Sequence, residues 1–284
     1  MNFAAAMNVV FPNNMWILLV VSLILCAVGF YKYVYFLSIG YGWAIAGEGI
    51  VMLLLYHTRV TPVIVLLCVL FVCYGVRLSG FLAYREYKSA TYRKTLKKAA
   101  KTEKPMPFGV KCAIWIPVSF LYVAQVTPVY YRLANGTEKE TLVPIIGALV
   151  MIAGLMLEGV ADQQKSKQKK EVSNMVATKG LYSIVRCPNY FGEIVFWTGV
   201  LLSGCTILSG WGQWVIALTG YVCIVFIMFN GATRLEKRQE KNYGAKAEYQ
   251  AYVSKTPILI PLVPLYHLAK QEEGANPIET KKKT

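Results

Sequence analysis

Long apolar runs separated by shorter polar connections are the dominant pattern of this 284-residue chain, which is 56% hydrophobic. Several runs reach about 18 residues or more, the length that an α-helix needs to cross a bilayer. Because lipid offers backbone groups no hydrogen-bond partner, and the runs are too long for barrel strands, we expect an all-α polytopic membrane protein. The pattern predicts seven transmembrane helices, at residues 15–31, 34–56, 62–84, 112–131, 142–161, 190–208 and 211–229.

The basic residues concentrate in three segments of the chain. These are the connection 85–104, the connection 165–179 and the tail after residue 229. With seven spans the three segments share one side, which the positive-inside rule makes cytoplasmic, so the N-terminus is expected to face outward. Orientation therefore accounts for the net charge of +15. We expect membrane lipids as partners and no nucleic acid.

Cysteine and histidine usage argues against a metal centre. His57 and His267 are far apart in sequence, and no C-x-x-C pair occurs among the seven cysteines. Most of these cysteines lie inside apolar runs, where the side chain acts as a small hydrophobe. The sequence therefore predicts no bound metal.

The most polar stretch beside an apolar run is Gly180–Glu193, G-L-Y-S-I-V-R-C-P-N-Y-F-G-E. Pro188 can open a helix, since the first helical amides need no partner. Asn189 then lies at the helix start, with Glu193 one turn further on the same face. Arg186 precedes the helix and can reach an anion at its positive end. The stretch indicates either a polar ligand at the membrane surface or an ordinary helix start.

This stretch resembles the signature of the steroid 5α-reductase-like membrane proteins, G-L-W-x-Y-S-R-H-P-N-Y-F-G-E in bacterial members. The isoprenylcysteine carboxyl methyltransferases carry a shorter form, R-H-P-x-Y-x-G. The R-x-P-N-Y-F-G-E core is intact here, but Ile184, Val185 and Cys187 replace the usual Tyr, Ser and His. Residues 158–165 match a second reductase-like motif, E-x-x-A-D-x-Q-K, and residues 234–252 resemble the tail of both families.

Charged or polar residues at membrane depth are expensive and usually functional, and this chain has several in its first three spans. Glu48 in span two should be protonated and therefore a hydrogen-bond donor, although it could instead be tied to a neighbouring helix. Tyr74 and Arg77 lie on one face of span three, and Tyr74 could equally be a core aromatic. Steroid 5α-reductases grip an enone carbonyl with a Glu–Tyr pair from these spans. The resemblance implies that Glu48 and Tyr74 are catalytic and that Trp43 and Arg77 contact substrate.

The resemblance implies an NADPH-dependent reductase of a hydrophobic enone, such as a steroid, with its cofactor site facing the cytoplasm of a bacterial inner membrane. No G-x-G-x-x-G lies on a strand–helix unit, so a dinucleotide would have to bind between helices. We expect one transmembrane domain over 1–270, with substrate-side spans in 15–109 and the cofactor-binding region in 110–270, and a disordered tail at 271–284. The expected cofactor-binding residues are Glu158, Asp162, Lys165, Lys169, Tyr182, Arg186, Asn189, Glu193, Arg234, Glu236 and Arg238.

Two other functions are compatible with the sequence. One is an S-adenosylmethionine-dependent methyltransferase of the isoprenylcysteine type, which Arg186 and the tail would suit, although Cys187 and the 158–165 motif argue against it. The other is a sterol or lipid binder without catalytic activity. The sequence also leaves open which enone is used, and the oligomeric state. The Lys and Arg residues favour NADPH over NADH only weakly.

Overall fold

A computed structural model gives the fold and describes residues 10–88, 106–136, 142–172 and 174–269. Within these ranges the regular structure is helical, without strands, which confirms the all-α prediction. The connection 85–104 lies mostly outside the described residues, and the predicted tail 271–284 lies entirely outside them. The α-helices are α1 (Met15–Cys26), α2 (Ile39–Leu55), α3 (Pro62–Lys88), α4 (Phe108–Asn135), α5 (Leu142–Glu171), α6 (Pro188–Gly204), α7 (Gly210–Tyr243) and α8 (Ala247–Val253).

Four of these helices, α3, α4, α5 and α7, are long and apolar enough to cross a membrane. Shorter apolar helices cover Met15–Phe30, which includes a 3₁₀ turn, and Ile39–Leu55. The chain is therefore membrane-embedded by the length and composition of its helices, and the count of seven spans stays a prediction.

Two helices continue well beyond the spans predicted for them. The predicted spans end at residues 161 and 229, whereas α5 ends at Glu171 and α7 at Tyr243. Both extensions are rich in Lys, Arg, Glu and Gln, which have good helix propensity. Hydropathy marks where the apolar run stops, and these residues let the helix continue past that point.

The chain folds into two compact units, each formed by two separate segments. The first unit contains Met1–Met156 and Gly192–Phe226, and the second contains Leu157–Phe191 and Ile227–Thr284. The first holds most of the apolar helices, and the second holds the charged ends of α5 and α7, the 180–191 stretch and α8.

Contacts at the two ends of the first unit show how its helices run. At one end, Lys32, between α1 and α2, forms an ion pair with Glu86 near the end of α3. At the other end, the Tyr56 hydroxyl after α2 donates to that of Tyr130 near the end of α4, at 3.3 Å. Helices α1 to α4 therefore alternate in direction, as expected of a chain that crosses a membrane repeatedly.

Helices α2 and α3 approach very closely at Gly42 and Gly75. A methyl group added to Gly75 would overlap the Gly42 carbonyl oxygen, so only glycine permits this approach. The neighbouring residues Tyr41 and Tyr74 are thereby brought together, with ring centroids 5.9 Å apart in an edge-to-face arrangement. This glycine contact positions the polar cluster of the first unit.

In the second unit the chain after α8 returns to the start of α6. The backbone N–H groups of Arg186 and Cys187 donate to the carbonyls of Pro257 and Ile258, each at 2.9 Å. A small core of Val176, Tyr249 and Val253 lies nearby. The segment 257–269 is consequently held against the 180–191 stretch, which contains the signature residues.

Candidate functional site

The two motifs that carry the resemblance contact each other in the second unit. The Gln164 side-chain oxygen, on α5, accepts a hydrogen bond from the Leu181 N–H at 2.8 Å. Gln168, one turn later, accepts from the N–H groups of Thr178 and Lys179, each at 2.9 Å. Gly180 has a φ of +69°, and a side chain there would overlap Gln164. The glutamines of α5 thus fix the loop that leads into the signature.

Helix α6 begins at Pro188, which confirms the predicted helix start. The preceding Cys187 is buried, and this burial raises the pKa of its thiol to about 12 despite the nearby positive charges of Arg186 and Lys165. Cys187 is therefore a neutral, enclosed thiol at ordinary pH. This position therefore carries no charge, whereas the family that the sequence resembles has a His here.

Arg186 is the most buried cation among the described residues of the second unit, with 2% of its surface exposed. Its Nη2 donates to Glu236 at 3.0 Å and also to the Tyr266 carbonyl oxygen. Its Nε and Nη1 groups are buried without any hydrogen-bond acceptor. Because unpaired buried N–H groups are costly, these two donors are suited to an anionic ligand.

Glu236, predicted to bind cofactor, is instead surrounded by donors from the protein. Besides Arg186, it accepts hydrogen bonds from the backbone N–H groups of Leu268 and Ala269 at 2.9 and 2.8 Å. The His267 ring nitrogen lies 3.1 Å from the same carboxylate. Glu236 thus contacts the 267–269 segment and one edge of the Arg186 guanidinium.

A small cavity of about 110 Å³ lies beside Arg186. Its charged lining residues are all cations, and five of the predicted cofactor-binding residues lie on its wall. One of them, Lys169, also donates to the Tyr243 hydroxyl at 3.0 Å. The lining residues are Lys165, Lys169, Val176, Ala177, Tyr182, Arg186, Leu235, Arg238, Gln239, Asn242, Tyr243 and Tyr252.

Four other predicted cofactor-binding residues of the second unit lie outside this lining. Glu158 is buried, Asp162 and Asn189 are half-buried, and Arg234 is exposed. Asp162 lies close enough to the cavity residue Tyr182 to contribute, after burial, to raising the pKa of its phenol. The structure thus brings the predicted cations together more completely than the predicted acids.

Glu193, the last predicted cofactor-binding residue, belongs to the first unit and is the centre of a buried polar cluster. Its Oε1 accepts hydrogen bonds from the hydroxyls of Tyr74 and Tyr41, the latter at 3.1 Å, and from Trp197 Nε1 at 3.3 Å. The Tyr74 ring also stacks on Phe196 with centroids 4.5 Å apart. Every member of this cluster lies inside the apolar helices of the unit.

Tyr74 is paired with Glu193, and the expected joint grip of Glu48 and Tyr74 on a substrate carbonyl stays a prediction. Glu48 is fully buried, and its carboxyl group makes no hydrogen bond of ordinary geometry, although the Ser22 hydroxyl of α1 lies close to it. It lies on the side of α2 that faces α1 and α4, where it interacts electrostatically with Cys26 and Tyr122. Tyr74 lies on α3, as expected, and its hydroxyl donates to Glu193.

The two residues predicted to contact substrate differ in their solvent exposure. Trp43 is 45% exposed on the surface of α2, and Arg77 is half-buried on α3. The motifs contain neither Tyr41 nor Trp197, the two further donors to Glu193. Trp197 follows Glu193 by four residues, a spacing that places both on one helix face and could have identified it. Tyr41 could not be identified from the sequence, because only the close approach of α2 and α3 brings it to Glu193.

Comparison with known proteins gives one family. A family model described as "Protein of unknown function (DUF1295)" matches residues 37–256, which is more than half of the chain. DUF1295 is related to the steroid 5-alpha reductase-like membrane proteins. No curated protein and no solved structure gave a significant match.

Proposed function

This chain belongs to the DUF1295 family, and from that premise we propose that it is an NADPH-dependent membrane reductase of a hydrophobic enone. The observation that carries the proposal is the cation-lined cavity in the second unit, with Arg186 beside it. The relation of the family to the steroid 5-alpha reductase-like proteins supports the same reaction.

The cavity has the chemistry of a phosphate site. Lys165, Lys169, Arg186 and Arg238 line it, and Arg186 has two buried N–H groups without an acceptor. Phosphate oxygens pair well with a guanidinium group, and the hydrogen bonds are strengthened by charge. A phosphate group would satisfy donors that the folded chain leaves unpaired.

The size of the cavity limits which part of a cofactor it can hold. Pockets that enclose a drug-sized ligand measure about 300–1,000 Å³, whereas this one is about 110 Å³. It therefore fits a phosphate group, and the rest of a dinucleotide would bind outside it. NADPH carries a separate ribose phosphate that NADH lacks, which is the reason we favour NADPH.

The same cavity disfavours the two other functions. S-adenosylmethionine carries a sulfonium, an ammonium and a single carboxylate but no phosphate, so it offers a cluster of four cations much less negative charge than a phosphate-bearing cofactor does. A sterol or lipid binder without a nucleotide has no use for buried unpaired guanidinium donors, which cost stability. The cation cluster is expected for a phosphate-bearing cofactor.

The first unit supplies a polar group within an apolar environment, as a hydrophobic carbonyl substrate requires. Tyr74 is the proposed donor to the carbonyl oxygen, where negative charge develops during reduction. Glu48 remains a second proposed acid because its carboxyl group is fully buried among apolar helices. When bound, NADPH supplies the hydride for the β-carbon of the enone, and the protein supplies orientation and electrostatics.

We also propose that the chain crosses a bacterial inner membrane seven times, with the phosphate site facing the cytoplasm. The alternating directions of α1 to α4 support repeated crossing. The Lys-rich and Arg-rich ends of α5 and α7 support a cytoplasmic position for the second unit's cavity.

Ligand-dependent stabilisation of the detergent-purified protein tests the cofactor. A ligand that binds only the folded state at 100 times its Kd stabilises that state by about 2.7 kcal/mol. We expect NADPH to raise the thermal midpoint more than NADH. Arg238→Met should remove most of this difference, and the matched change Lys167→Met, at an exposed position of α5, should keep it. Stabilisation by S-adenosylmethionine alone would show that the reductase assignment is wrong.

A further inference from the structure

One carboxylate oxygen in the first unit is the shared acceptor of three donors from three different side chains. Glu193 Oε1 accepts from Tyr74, from Tyr41 at 3.1 Å and from Trp197 at 3.3 Å. All four side chains are buried.

The number of protons in this cluster determines what it can offer a ligand. Each phenol has one proton, and an ionised carboxylate has none. When Glu193 is ionised, the protons of Tyr41 and Tyr74 are both held within the cluster by charge-assisted hydrogen bonds. Protonation of Glu193 adds a third proton, so one phenol proton becomes available to a group outside the cluster.

We propose that Glu193 is a positioning residue whose protonation decides whether Tyr74 can donate its phenol proton to a bound carbonyl group. This inference rests on the proposed reductase function, and it gives Glu193 a role that the sequence motif does not suggest. Tyr41 and Trp197 hold the carboxylate in place. Tyr41 also competes with Tyr74 for the same oxygen.

The proton transfers balance with the proposed reduction. Hydride brings both electrons to the β-carbon of the enone from NADPH, which becomes NADP⁺. The Tyr74 O–H bond breaks and a new O–H bond forms on the substrate oxygen, which gives an enol. The carboxyl group of Glu193 then returns a proton to the Tyr74 phenolate, and water reprotonates Glu193. The enol rearranges to the saturated ketone.

The groups described around this cluster belong to helices α2, α3, α4 and α6. Tyr41 belongs to α2, Tyr74 to α3, and Trp197 to the same helix as Glu193. Behind Tyr41 stands Tyr122 of α4, with ring centroids 4.7 Å apart, and Tyr122 is in turn an electrostatic neighbour of Glu48. Glu48 is therefore the other acid whose titration has to be separated from that of Glu193.

The pH dependence of turnover tests the inference with two matched variants. Glu193→Gln keeps the side-chain shape and carries an amide that can donate to Tyr74 at every pH, as a protonated Glu193 would. We measure kcat for the oxidation of NADPH that depends on cholest-4-en-3-one. Wild-type kcat should fall about tenfold per pH unit once Glu193 ionises. Glu193→Gln should lack this fall, and Glu171→Gln, which changes an exposed acid at the end of α5, should retain it.

Infrared titration of the purified protein without cofactor gives a readout independent of activity. The carboxylic acid C=O band that titrates in the wild type should be absent in Glu193→Gln and present in Glu48→Gln. The phenol C–O band should shift in the same titration, and the shift should be reduced in Tyr74→Phe. This wild-type and Tyr74→Phe comparison still applies if Glu193→Gln does not fold.

The outcomes separate the inference from the reductase assignment. If the wild type turns over and Glu193→Gln keeps the wild-type pH profile, or if the phenol band does not follow the carboxyl titration, the inference is overturned and the reductase function stands. If the wild type binds NADPH and reduces no enone in a panel of ketosteroids and shorter cyclic enones, the reductase function fails, and the role of Glu193 in it fails as well.

Discussion

Replacement of Arg186 by Met is the perturbation whose magnitude the structure defines best. The change removes the guanidinium from a pair whose side chains are 1% and 5% exposed and leaves the Glu236 carboxylate buried. Breaking a buried ion pair from one side costs about 3–5 kcal/mol. Glu236 would keep its two backbone N–H donors, so we expect a loss near 3 kcal/mol. At roughly 2–4 °C per kcal/mol, the thermal midpoint should fall by about 6–12 °C.

The assay is thermal unfolding in detergent, with Arg234→Met as the matched control because Arg234 is exposed on the same helix as Glu236. Adding Glu236→Gln completes a double-mutant cycle, for which we expect a coupling energy above about 1 kcal/mol, within the range found for residues in contact. If Arg186→Met is as stable as Arg234→Met, or the cycle shows no coupling, the argument that Arg186 anchors the 257–269 segment is refuted.

Two further predictions concern the approach to the signature. Gly180→Ala places a side chain at a φ of +69° and against Gln164, so it should destabilise the protein by about 1–3 kcal/mol. The control Gly159→Ala, at an open helical position, should be neutral or stabilising. Equal thermal midpoints for the two variants would contradict this prediction. Since burial raises the pKa of Cys187 to about 12, its thiol should be neutral and nearly unreactive toward N-ethylmaleimide at pH 8, while a cysteine introduced by Ser183→Cys should label quickly. Mass spectrometry measures both labelling rates, and similar rates would show that Cys187 is accessible.

Much of the fold could be predicted from local sequence properties. Apolar length identified the helices, and Pro188 identified the start of α6, because both signals are contained within the segments that they describe. The extensions of α5 to Glu171 and of α7 to Tyr243 were not predicted. A helix can leave an apolar environment without ending, so a hydropathy boundary does not mark its last residue.

The candidate site was predicted only in part, because a motif describes local sequence and not the packing of distant helices. The cations Lys165, Lys169 and Arg186 meet at one cavity, as expected from motifs that lie close together in sequence. The pairing of Tyr74 with Glu193 joins residues 119 positions apart and depends on helix packing that no motif describes. Packing also gives Glu236 its partners, because the backbone donors come from the 268–269 segment.

Transfer of deuterium from NADPH in which both hydrogens of the nicotinamide C4 are replaced by deuterium tests the central claim most directly. The purified protein, cholest-4-en-3-one and the labelled cofactor are incubated, and the product is analysed by mass spectrometry and NMR. The account predicts a saturated ketone with one deuterium at the former β-carbon, formed by the wild type and strongly reduced in Tyr74→Phe. Unlabelled product, or no product from any hydrophobic enone while NADPH is bound, would contradict it.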